Sequence, residues 1–308
     1  MGKIDGMKQE SQSKFKSPFW QSFLATLVFG LLLAGLFIYS NNHAKTADEL
    51  FYGALDKQLQ TPNIYRNKEV SQDGASQSQT TVINLNNKKS PVSASYISVK
   101  KTTPGQESDV AATQVGTQDA DYLQYTKYTG EDGAKFQKVL GQWAVNKASD
   151  GQPAQSLTSA IFDSPIMTGS LNRQTRNEIM AALQQSNGGG KAIEVLGAPV
   201  KYSENGKTYY KYNAEINLKY YVPIFQKYLN SIGLSSAADQ LTAPEADQKV
   251  KITVVIDPAT GQIVKTINSD DNSGPSVSFV PNKFALPAFI PQNVKMTFQN
   301  LQQAILGK

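Results

Sequence analysis

Residues 19–39, FWQSFLATLVFGLLLAGLFIY, carry no charged side chain. At about 1.5 Å per residue, a helix of this length crosses a hydrocarbon layer of roughly 30 Å. Phe19 and Trp20 at one end and Tyr39 at the other suit the two membrane interfaces. Gly30 and Gly35 lack the spacing of a small-xxx-small pair, so they mark no helix-dimer face. A signal peptide has a shorter apolar region, about 7–15 residues, and a small-x-small cleavage site. The run here is longer, and the SNNHAKTAD after it matches such a site poorly. Lys3, Lys8, Lys14 and Lys16 precede the run, against Lys45 and Lys57 soon after it. The positive-inside rule then puts the short tail in the cytoplasm. The expected organisation is a cytoplasmic tail at 1–18, a transmembrane helix at 19–39 and an extracytoplasmic α+β domain at 40–308. The chain is thus read as a single-pass protein of a bacterial cell membrane.

Composition removes several function classes. The 308 residues hold no cysteine, so there is no disulfide, thiolate metal site or lipidated cysteine. His43 is the lone histidine, which excludes a histidine-rich metal centre. The net charge is +5, of which the first 40 residues contribute +2. The remaining +3 is no nucleic-acid footprint. The chain shows no HExxH, nucleophile elbow or phosphate loop, and SLTSAIF holds no SxxK. GGGK at 188–191 has neither the spacing nor the hydroxyl of a phosphate loop, and DPATG at 257–261 serves as a hairpin turn without an ion. The expectation is a non-enzymatic protein with no catalytic residues, no metal and no cofactor. Acid pairs assembled only by folding stay open.

From Thr46 to Pro62 the chain reads as a helix, with Glu49 completing a capping box and Leu50, Ala54, Leu55 and Leu59 on one face. Strand patterns come next at 63–70, 79–85, 92–99, 109–115 and 122–128, an antiparallel meander with one wet face. Polar SQDGASQSQTT reads as a hairpin, since apolar alternation resumes directly after it. A helical block succeeds the meander. In AKFQKVLGQWAVNK, Phe136, Val139, Leu140 and Trp143 fall at i, i+3, i+4 and i+7. LTSAIFDSPIM and NRQTRNEIMAALQQSN continue it, with Gly188–Gly190 as the stop. Strands return at 191–202 and 207–218 around Asn205-Gly206. A short helix at 221–233 holds Pro223 in its first turn and Gly233 as its C′ residue. The clearest hairpin spans 249–267, with Val250, Ile252, Val254 and Ile256 on one face. A strand at 276–280 and a helix carrying Phe298, Leu301 and Ile305 close the chain. The fold class is α+β: a strongly curved antiparallel sheet, or half-barrel, with helices on its concave face.

Seven of the 14 tyrosines lie between Tyr202 and Tyr228. Strand parity sends Tyr210, Tyr212, Ala214, Ile216 and Leu218 one way and Tyr209, Lys211, Asn213, Glu215 and Asn217 the other. In the next helix Phe225, Tyr228, Leu229 and Ile232 form the apolar stripe. The rings are not interleaved with cations on their own face, which disfavours a nucleic-acid platform. Two readings remain for this face: filled core, or the wall of a ligand pocket.

The order of elements resembles the LolA/LprG-like family of bacterial extracytoplasmic proteins, over roughly residues 44–290. The likeness, one of element order and texture, is strongest in DADYLQYTKYTG…KFQKVLGQWAV, where a strand carrying Tyr122, Tyr125 and Tyr128 precedes a segment ending at Trp143. The chain resembles uncharacterised single-span membrane proteins of small-genome bacteria more closely still. The chain departs from the family in lacking a lipobox cysteine, in its membrane helix and in an extra C-terminal helix. The resemblance implies a hydrophobic cavity for acyl chains between sheet and helices. Cavity candidates are Tyr210, Tyr212, Ile216, Leu218, Phe225 and Trp143. The leading function is a membrane-anchored binding protein for a lipid or other apolar ligand. Two alternatives stand beside it: a non-enzymatic assembly subunit of a secretion or conjugation-type envelope machine, and a sensor acting through a membrane-protein partner.

Overall fold

The computed structural model describes residues 46–72, 74–85, 91–103, 106–131, 133–147, 154–187, 190–268, 276–279 and 290–306. The expected anchor at 19–39 lies outside them. Among the described residues, no helix is long and apolar enough to cross a membrane. The chain divides after Thr46, and the part from Ala47 to Lys308 forms a single unit.

The first helix, α1 (Ala47–Gln58), has Asp48 and Glu49 in its first turn and Lys57 in its last, which complements the helix dipole. It buries Phe51, Tyr52, Ala54, Leu55 and Gln58 on one face. Five strands succeed it in a meander: β1 (Asn63–Gln72), β2 (Ala75–Asn84), β3 (Val92–Thr103), β4 (Gln106–Gly116) and β5 (Ala120–Thr129). The Ser/Gln-rich stretch forms the β1–β2 hairpin, with Gln72 opposite Ala75. A short helix, α2 (Gly133–Gln137), leads to β6 (Trp143–Lys147). Here the helical periodicity of 134–147 misleads. Gly141 takes φ 73°, a left-handed conformation that ends the helical turns. Trp143 therefore opens a strand that pairs with β5.

Two helices come next, α3 (Gln155–Phe162) and α4 (Arg173–Gln184), the second capped by Asn172 accepting from the Thr175 amide at 2.9 Å. A two-residue ladder, β7 (Ser186–Asn187) with β8 (Gly190–Lys191), lies beyond them. The stretch expected as one strand at 191–202 is two, β9 (Ile193–Val195) and β10 (Val200–Glu204), broken where Gly197 adopts φ 75°. Both pair with β11 (Lys207–Asn217). The helix α5 (Leu218–Ser231) starts directly from that strand, capped by Asn217, so Pro223 sits inside it rather than in its first turn. Leu218 is thus the first helical residue, not the end of a strand. Then come α6 (Ser235–Asp239), β12 (Lys249–Asp257), β13 (Gln262–Asn268), β14 (Ser276–Phe279), β15 (Val294–Thr297) and α7 (Phe298–Leu306).

Among the described residues, thirteen strands form one curved sheet in the order β10-β11-β12-β13-β14-β1-β2-β3-β4-β5-β6-β15, with β9 beside β11. The fold is α+β, but the sheet is mixed rather than purely antiparallel, because β15 runs parallel to β6. Its pairing joins distant segments and no local pattern announces it. The single-wet-face expectation also fails. Val82, Ala94 and Val115 are cross-strand neighbours on the face away from α3, and all are buried. The face beneath α3 instead carries Thr81, Ser93 and Ser95, with Thr81 and Ser95 hydroxyls 3.0 Å apart.

That small, self-satisfied polar surface lets α3 approach the sheet closely. Asp121, on β5, accepts from the backbone amides of Ser156 at 2.8 Å and Gln155 at 3.0 Å, capping a helix whose own N-cap Ala154 offers no side-chain acceptor. A Cβ at Gly116 would meet the Leu157 nitrogen at 2.3 Å. Gly116→Ala is therefore expected to destabilise the protein by roughly 1–3 kcal/mol, read from the urea midpoint at unchanged m-value. An unchanged midpoint would show that α3 sits further from β4.

Candidate functional site

The main core lies between the helices and the sheet, and parity along β11 divides it. Tyr212 is fully buried and packs under α1, its ring 5.6 Å from that of Phe51. Tyr210 lies in the adjoining row, opposite Ile256 of β12, and is half-buried against the same core. Further along, the strand leaves the shelter of α1. Ile216 faces Val250, and Ile252 faces Asn268 of β13. Over these residues the side chains do not close up, and a cavity of about 410 Å³ remains. That volume is in the range of roughly 300–1,000 Å³ typical of small-molecule pockets.

Three walls build the cavity. The sheet supplies Ile216, Val250, Ile252, Thr266, Ile267, Asn268 and Val277. The helix α5 lays Leu218, Tyr221, Val222 and Phe225 over one half, where its apolar stripe overhangs the strand it grew from. The segment Phe162–Pro165, which begins at the last residue of α3, covers the other half, and Leu241 closes a side. Phe162 is 40% exposed and its ring stands 5.6 Å from that of Phe225, which places these rings at the opening.

Buried hydrogen bonds hold the third wall. The Tyr221 hydroxyl donates to the Pro165 carbonyl, and the Tyr228 hydroxyl to the Thr168 carbonyl at 2.6 Å. Arg66 reaches up from β1 to the same segment. Its Nη1 donates to the Ala160 carbonyl at 2.6 Å, its Nη2 lies 3.5 Å from the Thr168 hydroxyl, and its guanidinium sits 5.4 Å over the Phe279 ring. The Ala160 carbonyl belongs to the last turn of α3, where a cation complements the dipole. Burial pushes Arg66 down to about 10, with the nearby Tyr228 and Asp163 opposing the shift. It stays charged at neutral pH. At the rim, Lys68 Nζ contacts Asp163 Oδ1 at 3.0 Å.

Of the residues nominated from sequence, the structure brings Ile216, Leu218 and Phe225 together on the cavity wall. Tyr212 is core, and its hydroxyl is buried without a hydrogen-bond partner among the described residues. Tyr210 packs against that core and does not line the cavity. Trp143 belongs to the far end of the sheet, near a small separate core built on Val139, Ala144 and Leu301. Sequence reading missed Phe162–Pro165, which carries no periodic signal. It read Val250 and Ile252 as hairpin residues, and their parity with Ile216 was the available clue.

An α+β protein with an apolar cavity between sheet and helices is the class that fold and site define. No protein-family model matches the chain, and no curated protein matches it. Several solved structures are distantly similar, among them two from mycobacteria. LprF from Mycobacterium bovis is 10% identical, over 81% of this chain and 97% of that one, at a TM-score of 0.40. The lipoprotein LppX of Mycobacterium tuberculosis is 11% identical, over 77% of this chain and 96% of its own, at a TM-score of 0.31. The function has to be read from this chain's own cavity.

Two measurements check the assignment of the tyrosines. Tyr212→Ala is expected to lose about 3–5 kcal/mol of stability, as a core truncation does. Tyr212→Phe, which removes an unsatisfied buried hydroxyl, is expected to be at least as stable as the natural chain. A near-neutral Tyr212→Ala would move Tyr212 to the cavity.

Alkaline pH tests the buried hydroxyls. Burial pushes Tyr52 up to about 12 and raises Tyr221 and Tyr228 as well. In the unfolded chain these groups ionise near 10. Above that pH the unfolded state binds fewer protons, so stability falls as pH rises from about 10 to 12. Arg66 acts in the opposite sense, as one group against three. Urea midpoints at pH 9 and pH 11 should show the net decline, and a higher midpoint at pH 11 would contradict it.

Proposed function

We propose that this chain is a non-enzymatic binding protein that holds an apolar ligand in the cavity between α5 and the sheet. The observation that carries the reading is the cavity itself: about 410 Å³ of space, walled mostly by aliphatic and aromatic side chains. Leaving such a space empty forfeits contacts along its whole lining, a cost that an apolar ligand removes. Among the described residues its lining holds one carboxylate, Asp163, which is bonded to Lys68, so a hydrolytic acid pair has no second member among them. Recognition by shape and apolar contact suits this lining better than chemistry does.

The apolar run at 19–39 extends the proposal to place. A chain tethered by that run, with its folded part outside the cytoplasmic membrane, meets lipids and other apolar solutes at the membrane face. The tether limits its range, so the ligand is taken up and released locally.

Native mass spectrometry of the full chain purified from its host tests the reading. One apolar molecule per chain is expected, lost in Val250→Trp, whose indole occupies the cavity. An unliganded mass, together with no binding of an apolar fluorophore, would overturn it.

A further inference from the structure

Among the described residues, the cavity is polar at one end only. Under α5 the sheet presents Ile216, Val250 and Ile252. Moving across the sheet, β13 presents Thr266 and Asn268, and β1 then places Lys68 opposite Val277 of β14. Above this end stand Asp163 and Ser164. The Lys68 and Asp163 side chains are each 25% exposed, at the border between cavity and solvent.

Among the described residues, charge at this end is positive. Arg66 lies two residues before Lys68, on the same face of β1, and is 3% exposed. Its hydrogen-bond partners, the Ala160 carbonyl and the Thr168 hydroxyl, are neutral, and among the described residues its Nε has no partner. Among the described residues, Asp163 is the one carboxylate that acts on it, and Asp163 already bonds Lys68. Two cations thus share one anion. The Lys68 ammonium has three donors, so its contact with Asp163 leaves donors for a second anion.

Size limits the hydrocarbon. At about 410 Å³ the space lies in the lower part of the roughly 300–1,000 Å³ range of small-molecule pockets, which suits one chain rather than two. We propose that the cavity takes a single-chain amphiphile with an anionic headgroup, a long-chain carboxylate, its tail under α5 and its carboxylate at Lys68. This rests on the apolar-ligand reading above and narrows it to one chemistry.

The test uses the full chain in dipalmitoyl phosphatidylglycerol nanodiscs, with Val250→Trp as the correction for partition into disc lipid. Dodecanoate, dodecanol and dodecyltrimethylammonium are titrated against a bound apolar fluorophore. Dodecanoate is expected to bind about tenfold more tightly than either other probe, as one charge-assisted hydrogen bond provides. Lys68→Gln should weaken dodecanoate about tenfold and leave dodecanol within about twofold, which also shows that the variant is folded. Equal affinity for the three probes, preference for the ammonium, or no effect of Lys68→Gln on dodecanoate overturns the inference alone. So does a disc phospholipid retained in native mass spectrometry. Binding of none of the probes removes the apolar-ligand reading and this inference together.

Discussion

Arg66 is the point on which the two halves of the structure meet. It lies on β1, in the middle of the strand order, where the meander β1–β6 joins the later strands through β14. A buried guanidinium is costly unless its donors are used. Here they reach the end of α3 and the hydroxyl of Thr168, whose carbonyl accepts from Tyr228 of α5. One cation therefore links sheet, connecting segment and helix. The segment it holds, from Ala160 to Thr168, is the segment that walls the cavity.

The cavity results from that arrangement. On one side, α1 packs tightly enough on β11 to bury Tyr212 completely. On the other, α3 lies close on small residues at Ser93, Ser95 and Gly116. Between them α5 rises straight from β11 without a loop, so its first turns cannot drop onto the strands below. The Arg66 and Tyr228 bonds fix Phe162–Pro165 at its present height, and the space is left between. Rigid supports on both sides are what make an unfilled volume persist in an interior that would otherwise close-pack.

Much of this was legible in the sequence where a signal is local. The alternation in KTYYKYNAEIN and KVKITVVID announced the two strands of the cavity floor, and the stripe through Phe225 and Tyr228 announced the helix above. Ile216, Leu218 and Phe225 were nominated from those patterns, and they line the space. Parity could not separate Tyr212 from Ile216, because both point to the same face. What separates them is which helix lies overhead, and that is decided by long-range contacts. Trp143 shows the opposite failure: its i+7 spacing imitated a helix until Gly141 turned the backbone. The role of Arg66 was equally hidden, since a lone arginine in a strand gives no sign of the helix end that will receive it.

The central claim is that an apolar molecule occupies the space between α5 and β11–β14. Photolabelling of the full chain with an alkyl diazirine, mapped by peptide mass spectrometry, tests it most directly. Insertion is expected at Leu218, Phe225, Val250 and Ile252, the residues whose side chains face the cavity. Labelling confined to exposed Leu196 and Val200, or scattered without preference for the cavity wall, would contradict it.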